Sequence, residues 1–304
     1  MKTTLNITVT GALGYSGRWI AQELIDAGHH VKTITNSLHK PNPFGNQIVI
    51  EPFNFNQPEK LTDSLKGSDV LVNTYWVRFN HNQFNHSEAV ENTKILFDCA
   101  KKAGVKRIIH VSITNPSLDS ELEYFKGKAE LELYLSQLGI PHSIIRPAVL
   151  FGHGDILINN IAWMVRNLPI MGVFGKGDYK MQPIHVEDFA KCITTECGEE
   201  GNRTINAIGR ESYTYKELVY TMMDIFNTKK PVLNTPPIIG YWLGKIISSW
   251  KNDVTITQEE IKGLMDNLLY VDDKPIGTIK LSEWMRENKE TLGVNYASEL
   301  ERRS

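Results

Sequence analysis

The stretch "TGALGYSGRWI", residues 10–20, sets Gly11, Gly14 and Gly17 three apart, directly after the apolar run "LNITV" (5–9) and directly before a helix-forming segment. Glycines at a strand-to-helix turn let the backbone fold back tightly and approach a ligand closely. The free amides and positive dipole end of the following helix then favour an anion such as a pyrophosphate. A glycine turn kept for packing alone would not need that context, because glycines between other elements carry no such meaning.

Outward from this turn, short apolar runs alternate with amphipathic segments. "VKTIT" (31–35), "IVI" (48–50), "DVLVNTYW" (69–76), "KRIIHVS" (106–112) and "HSIIRPAVLFG" (142–152) read as strands. Helices are expected at "PEKLTDSLKG", at "SEAVENTKILFDCAKKAG" and from "EYFKGKAELELYL" (123–135) onward. Repeated strand–helix–strand units with short turns predict an α/β fold, a doubly wound parallel sheet covered on both faces, with right-handed crossovers. The predicted organisation is a dinucleotide-binding domain over residues 1–150, joined by a late strand near 203–209 ("RTINAIG"), and a smaller, mostly helical substrate lobe over 151–304. In that lobe "PPIIGYWLGKIISSW" (236–250) places Ile239, Leu243, Ile246 and Trp250 on one face, which fits core or lid packing, a lipophilic substrate wall or peripheral membrane contact.

Composition narrows the function classes. The 304 residues are 41% hydrophobic and 22% charged, and 33 basic against 35 acidic residues leave a formal charge of −2. No basic run is interleaved with aromatics, so a nucleic-acid partner is not expected. Cys99, Cys192 and Cys197 are odd in number and lack zinc-site spacing, so neither a disulfide framework nor a metal is expected and a reducing, cytoplasmic setting fits. The N-terminal "MKTTLNITVTG" enters a strand at once, which predicts no signal peptide, and no apolar run approaches the roughly 18 residues of a membrane span.

"TGALGYSG", "AGVKRIIHVS" (103–112), "YFKGK" (124–128), "IIRPAVLFG" (144–152) and "QPIHVEDFA" (182–190) together resemble the extended or atypical short-chain dehydrogenases/reductases, a superfamily with a Rossmann fold that uses NAD or NADP. The sequence is similar to the atypical branch that holds the nucleotide-binding accessory subunit of respiratory complex I and many proteins called NAD-dependent epimerases. The resemblance implies that Gly11, Gly14, Tyr15, Gly17, Arg18, Asn36, Lys40, Asn54, Thr74, Lys128, Arg146 and Pro147 contact the cofactor. It implies Tyr124 as acid/base, Lys128 as pKa modulator and ribose ligand, and Ser112, twelve residues earlier, as orienter of the substrate oxygen.

Helix geometry supports that placement. At about 100° per residue, Tyr124, Lys128, Leu131, Leu135 and Leu138 share one stripe, so the pair points where the leucines point. Phenol protons exchange poorly near neutrality from a pKa of about 10, and an adjacent ammonium lowers that value. A second copy of the spacing, Tyr241 and Lys245, has no glycine turn or serine-bearing strand ahead of it. Ser112 alone fits a strand-end cap equally well.

Departures from the family pattern bear on the substrate. Ala89, beside Glu88, stands where extended members often have an asparagine of the proton relay, and Met181 stands where sugar-nucleotide epimerases commonly have an arginine. A nucleotide sugar is therefore disfavoured. "TITNSLHK" has Asn36 and no acid through Lys40, which removes the carboxylate that selects NAD, so NADP is preferred, with Lys40, His39 and Arg18 as candidate phosphate partners. The bulky loop holding Tyr75, Trp76, Arg78 and Phe79 is expected to narrow the pocket; Arg78 fits an anion ligand or a ring stack, and His81 and His86 receive no role. A second apolar patch on the Tyr124 helix, Leu122, Phe125, Ala129 and Leu133, fits a two-fold homodimer or cover by the chain itself. The expected activity is an NAD(P)-dependent oxidoreductase acting on a carbonyl or alcohol of a small or lipophilic substrate. The alternatives are a non-catalytic redox sensor or structural subunit, and an epimerase or dehydratase.

Overall fold

The structure is a computed structural model and describes residues 4–239, 241, 245, 253, 254 and 256–303. Leu243, Ile246 and Trp250 of the apolar segment lie outside the described residues, and Ile239 is about half exposed, at 49%.

The chain divides into two compact units. Unit 1 comprises residues 1–147 and 186–207, and unit 2 comprises residues 148–185 and 208–304. In unit 1 the order is β1 (Asn6–Thr10), α1 (Tyr15–Asp26), β2 (His30–Ile34), β3 (Ile48–Glu51), α2 (Pro58–Leu65), β4 (Val70–Asn73), α3 (His86–Lys102), β5 (Arg107–Val111), α4 (Glu123–Gln137) and β6 (His142–Pro147). A helix, Val186–Cys197, and a strand, Arg203–Ala207, complete the unit. The seven strands form one sheet with β1 inside it, flanked by β2 and β3 on one side and by β4, β5, β6 and Arg203–Ala207 on the other, every pair parallel. Such a sheet is covered on both faces, and its strands read as apolar runs: Ile7, Val9, Leu71, Val72, Ile108 and Ile109 are at most 1% exposed.

The order reverses beside β1, which opens a crevice at the C-terminal strand ends, where open parallel sheets bind ligands. The expected strand over 142–152 is in fact two. β6 ends at Pro147, and a separate strand, Val149–Phe151, pairs in parallel with Pro183–His185 in unit 2. Periodicity runs straight through the break.

Asn85 caps α3 by accepting from the Glu88 backbone N–H at 2.8 Å. On α4, Leu131 and Leu135 are fully buried, Leu138 beyond its end is 8% exposed, and Lys128 on the same stripe is 2% exposed. Of the second patch, Leu122, Phe125 and Ala129 are also buried, leaving Leu133 as its one exposed member. The patch is thus mostly covered already, which removes the reason to assign it to a dimer.

Unit 2 carries a core of its own, built around Phe151, Ile158, Ile161, Met181, Leu218, Met222 and Met285. Among the described residues three short two-stranded sheets accompany its helices. Among the described residues no helix is long and apolar enough to cross a membrane.

Candidate dinucleotide site at the strand ends of unit 1

The turn after β1 is built around contacts that only glycine permits. Gly11 adopts φ +67°, and its carbonyl accepts from the Gly14 N–H at 2.8 Å. A Cβ on Gly17 would stand 2.2 Å from the Gly11 oxygen, so α1 can start this close to the strand only with glycine there. The first turn of α1 has no side-chain cap and no acidic residue, leaving its N-terminal amides and dipole to an anion. Tyr15 opens the helix, half-buried, and Arg18 is exposed one turn along.

A polar knot fixes the neighbouring loop. Thr10 Oγ1 donates to Asn73 Oδ1 at 3.1 Å and accepts from the Thr74 and Tyr75 backbone amides at 2.7 and 3.0 Å. Thr74 Oγ1 returns a bond to the Thr10 carbonyl at 2.6 Å. Because Asn73 Oδ1 is used as an acceptor, its Nδ2 donates to His110 Nδ1 at 3.1 Å, and burial holds the His110 ring neutral, with a pKa well below the usual imidazole value. Residues 74 and 75 are thereby pinned beside the glycine turn, and a Cβ on Gly11 would lie 3.6 Å from Thr74 Oγ1. Tyr75 packs with Phe53 and Phe55, ring centroids 5.0 and 5.1 Å away, and its hydroxyl accepts from Asn92 at 3.1 Å.

The Tyr124–Lys128 pair lies on the same edge of the sheet. Lys128 Nζ donates to the Val111 carbonyl at 2.7 Å and sits 4.3 Å from the centre of the Trp76 ring. Burial pushes its pKa down to about 7, with the Glu132 carboxylate partly opposing the shift. Tyr124, half-buried, meets Trp76 edge to face at 5.6 Å and His86 at 5.7 Å. His86 stacks on Trp76 at 5.7 Å; burial lowers its pKa, and its Nδ1 is 3.7 Å from Glu123 Oε2. In the Tyr241–Lys245 copy, Lys245 Nζ lies 5.2 Å from the centroid of the Tyr241 ring.

Lys128, read from the resemblance as pKa modulator and ribose ligand, is covered by Trp76, and desolvation weakens its charge. Ser112, which fits a substrate orienter or a strand-end cap from the sequence, is 2% exposed and donates to Glu132 Oε1 at 2.5 Å. Arg146 was expected at the cofactor; its Nε donates to the same Glu132 oxygen at 2.9 Å and its Nη2 pairs with Glu132 Oε2. Pro147 is buried, its carbonyl accepting from the Thr114 N–H at 3.1 Å. Asn54 takes φ +51° after β3 and accepts from the Gln57 N–H, while Asn36 and His39 are exposed and Lys40 half-buried beyond β2. Arg78 lies over Phe79, 5.7 Å from its centroid.

Glu132 is the residue that pattern reading missed. It stands one helical turn after Lys128 on the buried side of α4, and that four-residue spacing was the available signal.

Residues 3–207 match the model of the NmrA-like family. Among curated proteins, the 40 kDa subunit of mitochondrial NADH-ubiquinone oxidoreductase from Neurospora crassa is 27% identical over 249 residues, covering 77% of this chain and 64% of that protein. The chain thus spans less than two thirds of that relative's length. Among solved structures, the Citrobacter sp. triphenylmethane reductase complexed with NADP(H) superposes with a TM-score of 0.77 at 18% identity, covering 93% of this chain and 99% of that one. An NADPH-dependent quinone oxidoreductase from Escherichia coli, complexed with NADPH, gives 0.71 at 19% identity, covering 92% and 99%. At these identities the likeness establishes the fold.

Proposed function

The chain belongs to the NmrA-like family, and from that premise we propose that it is an NAD(P)-dependent oxidoreductase whose dinucleotide lies along the strand ends of unit 1. The observation that carries this reading is the approach of Gly17 to the Gly11 carbonyl, a cradle that any side chain would fill, next to an uncapped helix start. These residues fit a pyrophosphate. Gly11, Gly14 and the first turn of α1 would hold it, Thr74 would wall it, and Arg18 with Lys40 would favour the 2'-phosphate of NADP over NAD, since no acid stands at residues 36–40.

The bound cofactor supplies the hydride. Tyr124 supplies the proton to a substrate carbonyl, with His86 edge-on beside it. Lys128 tunes that proton through its charge, and Glu132 keeps Lys128 partly protonated. The triphenylmethane and quinone reductases among the structural neighbours support an aromatic or conjugated acceptor.

Steady-state assays with NADPH and a panel of quinones, dyes and carbonyl compounds test this. Tyr124→Phe is expected to lower kcat by roughly 10²–10⁴-fold, the usual worth of a positioned acid, with the NADPH Kd nearly unchanged. A second reading, a dinucleotide-binding protein without turnover, is favoured by Trp76 over Lys128, by the Ser112 hydroxyl held on Glu132, and by the respiratory-complex relative. Wild-type protein that binds NADPH yet reduces no acceptor would select that reading.

A further inference from the structure

Trp76 occupies a place made for it. A Cβ on Gly127 would stand 2.9 Å from Trp76 Cη2 and 3.0 Å from Val90 Cγ2, so the helix gives up a side chain where the indole lies. The ring stacks on His86, meets Tyr124 edge-on and covers the Lys128 ammonium at 4.3 Å. Its own N–H is buried and meets no hydrogen-bond acceptor among the described residues. The polar knot at Thr10 and Asn73 fixes the backbone as far as Tyr75, and among the described residues the indole is held by ring contacts, the Lys128 ammonium and apolar packing, with no hydrogen bond of its own.

Two consequences follow from that placement. Lys128 is 2% exposed, so any ligand oxygen that is to reach its ammonium must first take the place of the indole. A ligand that starts at Gly11 and passes Thr74 toward Tyr124 meets Trp76 on the way, two residues after Thr74.

We infer that Trp76 is a specificity-determining residue of the strand-end site: its indole stands in for the nicotinamide half of a dinucleotide, so the ligand-free chain takes the adenosine half freely and the nicotinamide half only by turning Trp76 out. This rests on the dinucleotide reading above. The cost of displacing the ring is a conformational tax on the apparent affinity for the whole cofactor, and it leaves the adenosine fragment untouched.

The test compares NADPH with adenosine 2',5'-bisphosphate, a fragment lacking the nicotinamide half, by calorimetry on wild type, Trp76→Ala and Trp76→Phe. Trp76→Ala is expected to tighten NADPH by about tenfold, as removal of such a tax does, and to leave the fragment within about twofold. Trp76→Phe, which keeps an aromatic cover, falls between. A nucleotide-free arm follows acetylation of Lys128 by acetic anhydride with mass spectrometry: Lys128 should label faster in Trp76→Ala, while the exposed Lys126 of the same helix labels equally. Unchanged or weakened NADPH binding in Trp76→Ala, or unchanged Lys128 labelling, overturns the inference. If wild type binds neither nucleotide, the dinucleotide reading fails and takes this one with it, an outcome distinct from binding of both without a Trp76 effect.

Discussion

The environment of Lys128 is costly. An ammonium moved out of water is strongly disfavoured unless partners replace its hydration. Here those partners are the Val111 carbonyl, the face of Trp76 and, through space, Glu132. They are insufficient to keep the ordinary value, since the folded pKa is about 7 against 10.5 for a free lysine. Between those values the unfolded chain holds the proton and the folded chain does not, so this residue makes stability rise with pH across that window. Its full cost is present below pH 7 and disappears above about 10.5. Lys128→Met should therefore be stabilising at pH 6 by a few kcal/mol and much less so at pH 9.5, read as the difference in urea midpoints. An equal effect at both pH values would mean that the amine stays charged and solvated. The spacing of Tyr124, Lys128 and the leucines revealed which way this side chain points. It could not reveal the cover, because Trp76 arrives from a loop about fifty residues earlier whose path no helical or strand period describes.

At the scale of elements, one carboxylate ties α4 to two strands. Glu132 receives the Ser112 hydroxyl from the end of β5 and the Arg146 guanidinium from β6, so a single helical residue staples two strands. Glu132→Gln keeps the shape but removes the charge, leaving Arg146, 29% exposed, without its counter-ion. The expected loss is about 2 kcal/mol in urea unfolding, below the value for a wholly buried pair because Arg146 keeps some solvent. An unchanged midpoint would show that the staple adds nothing. The order of helices and strands in unit 1 was legible because each strand is an apolar run bounded by turn residues. The break after Pro147 was not, since proline ends the ladder without interrupting the run of apolar residues, and Val149–Phe151 looks like its continuation. Glu132 was hidden for a similar reason: a charged residue on a helix is read by default as solvated, and only its strand partners show otherwise.

For the molecule as a whole, legibility follows element length. Unit 1 is made of strands and helices long enough to show a period, whereas unit 2 includes two-residue strands such as Lys180–Met181 and Tyr213–Thr214, too short to leave one. The site residues divided in the same way. Gly11, Gly14, Gly17 and Thr74 form one cradle by backbone geometry that glycine spacing announces, while Ser112 and Arg146 turned to a structural partner that no spacing rule names. Family membership extends over residues 3–207, which include all of the strand-end site. The most direct measurement of the central claim is hydrogen–deuterium exchange of the full chain with and without saturating NADPH. Amides of residues 11–18 and 74–76 should slow on addition of the nucleotide. Unchanged exchange in both segments, at concentrations that slow amides elsewhere or nowhere, would contradict a dinucleotide held at the glycine turn.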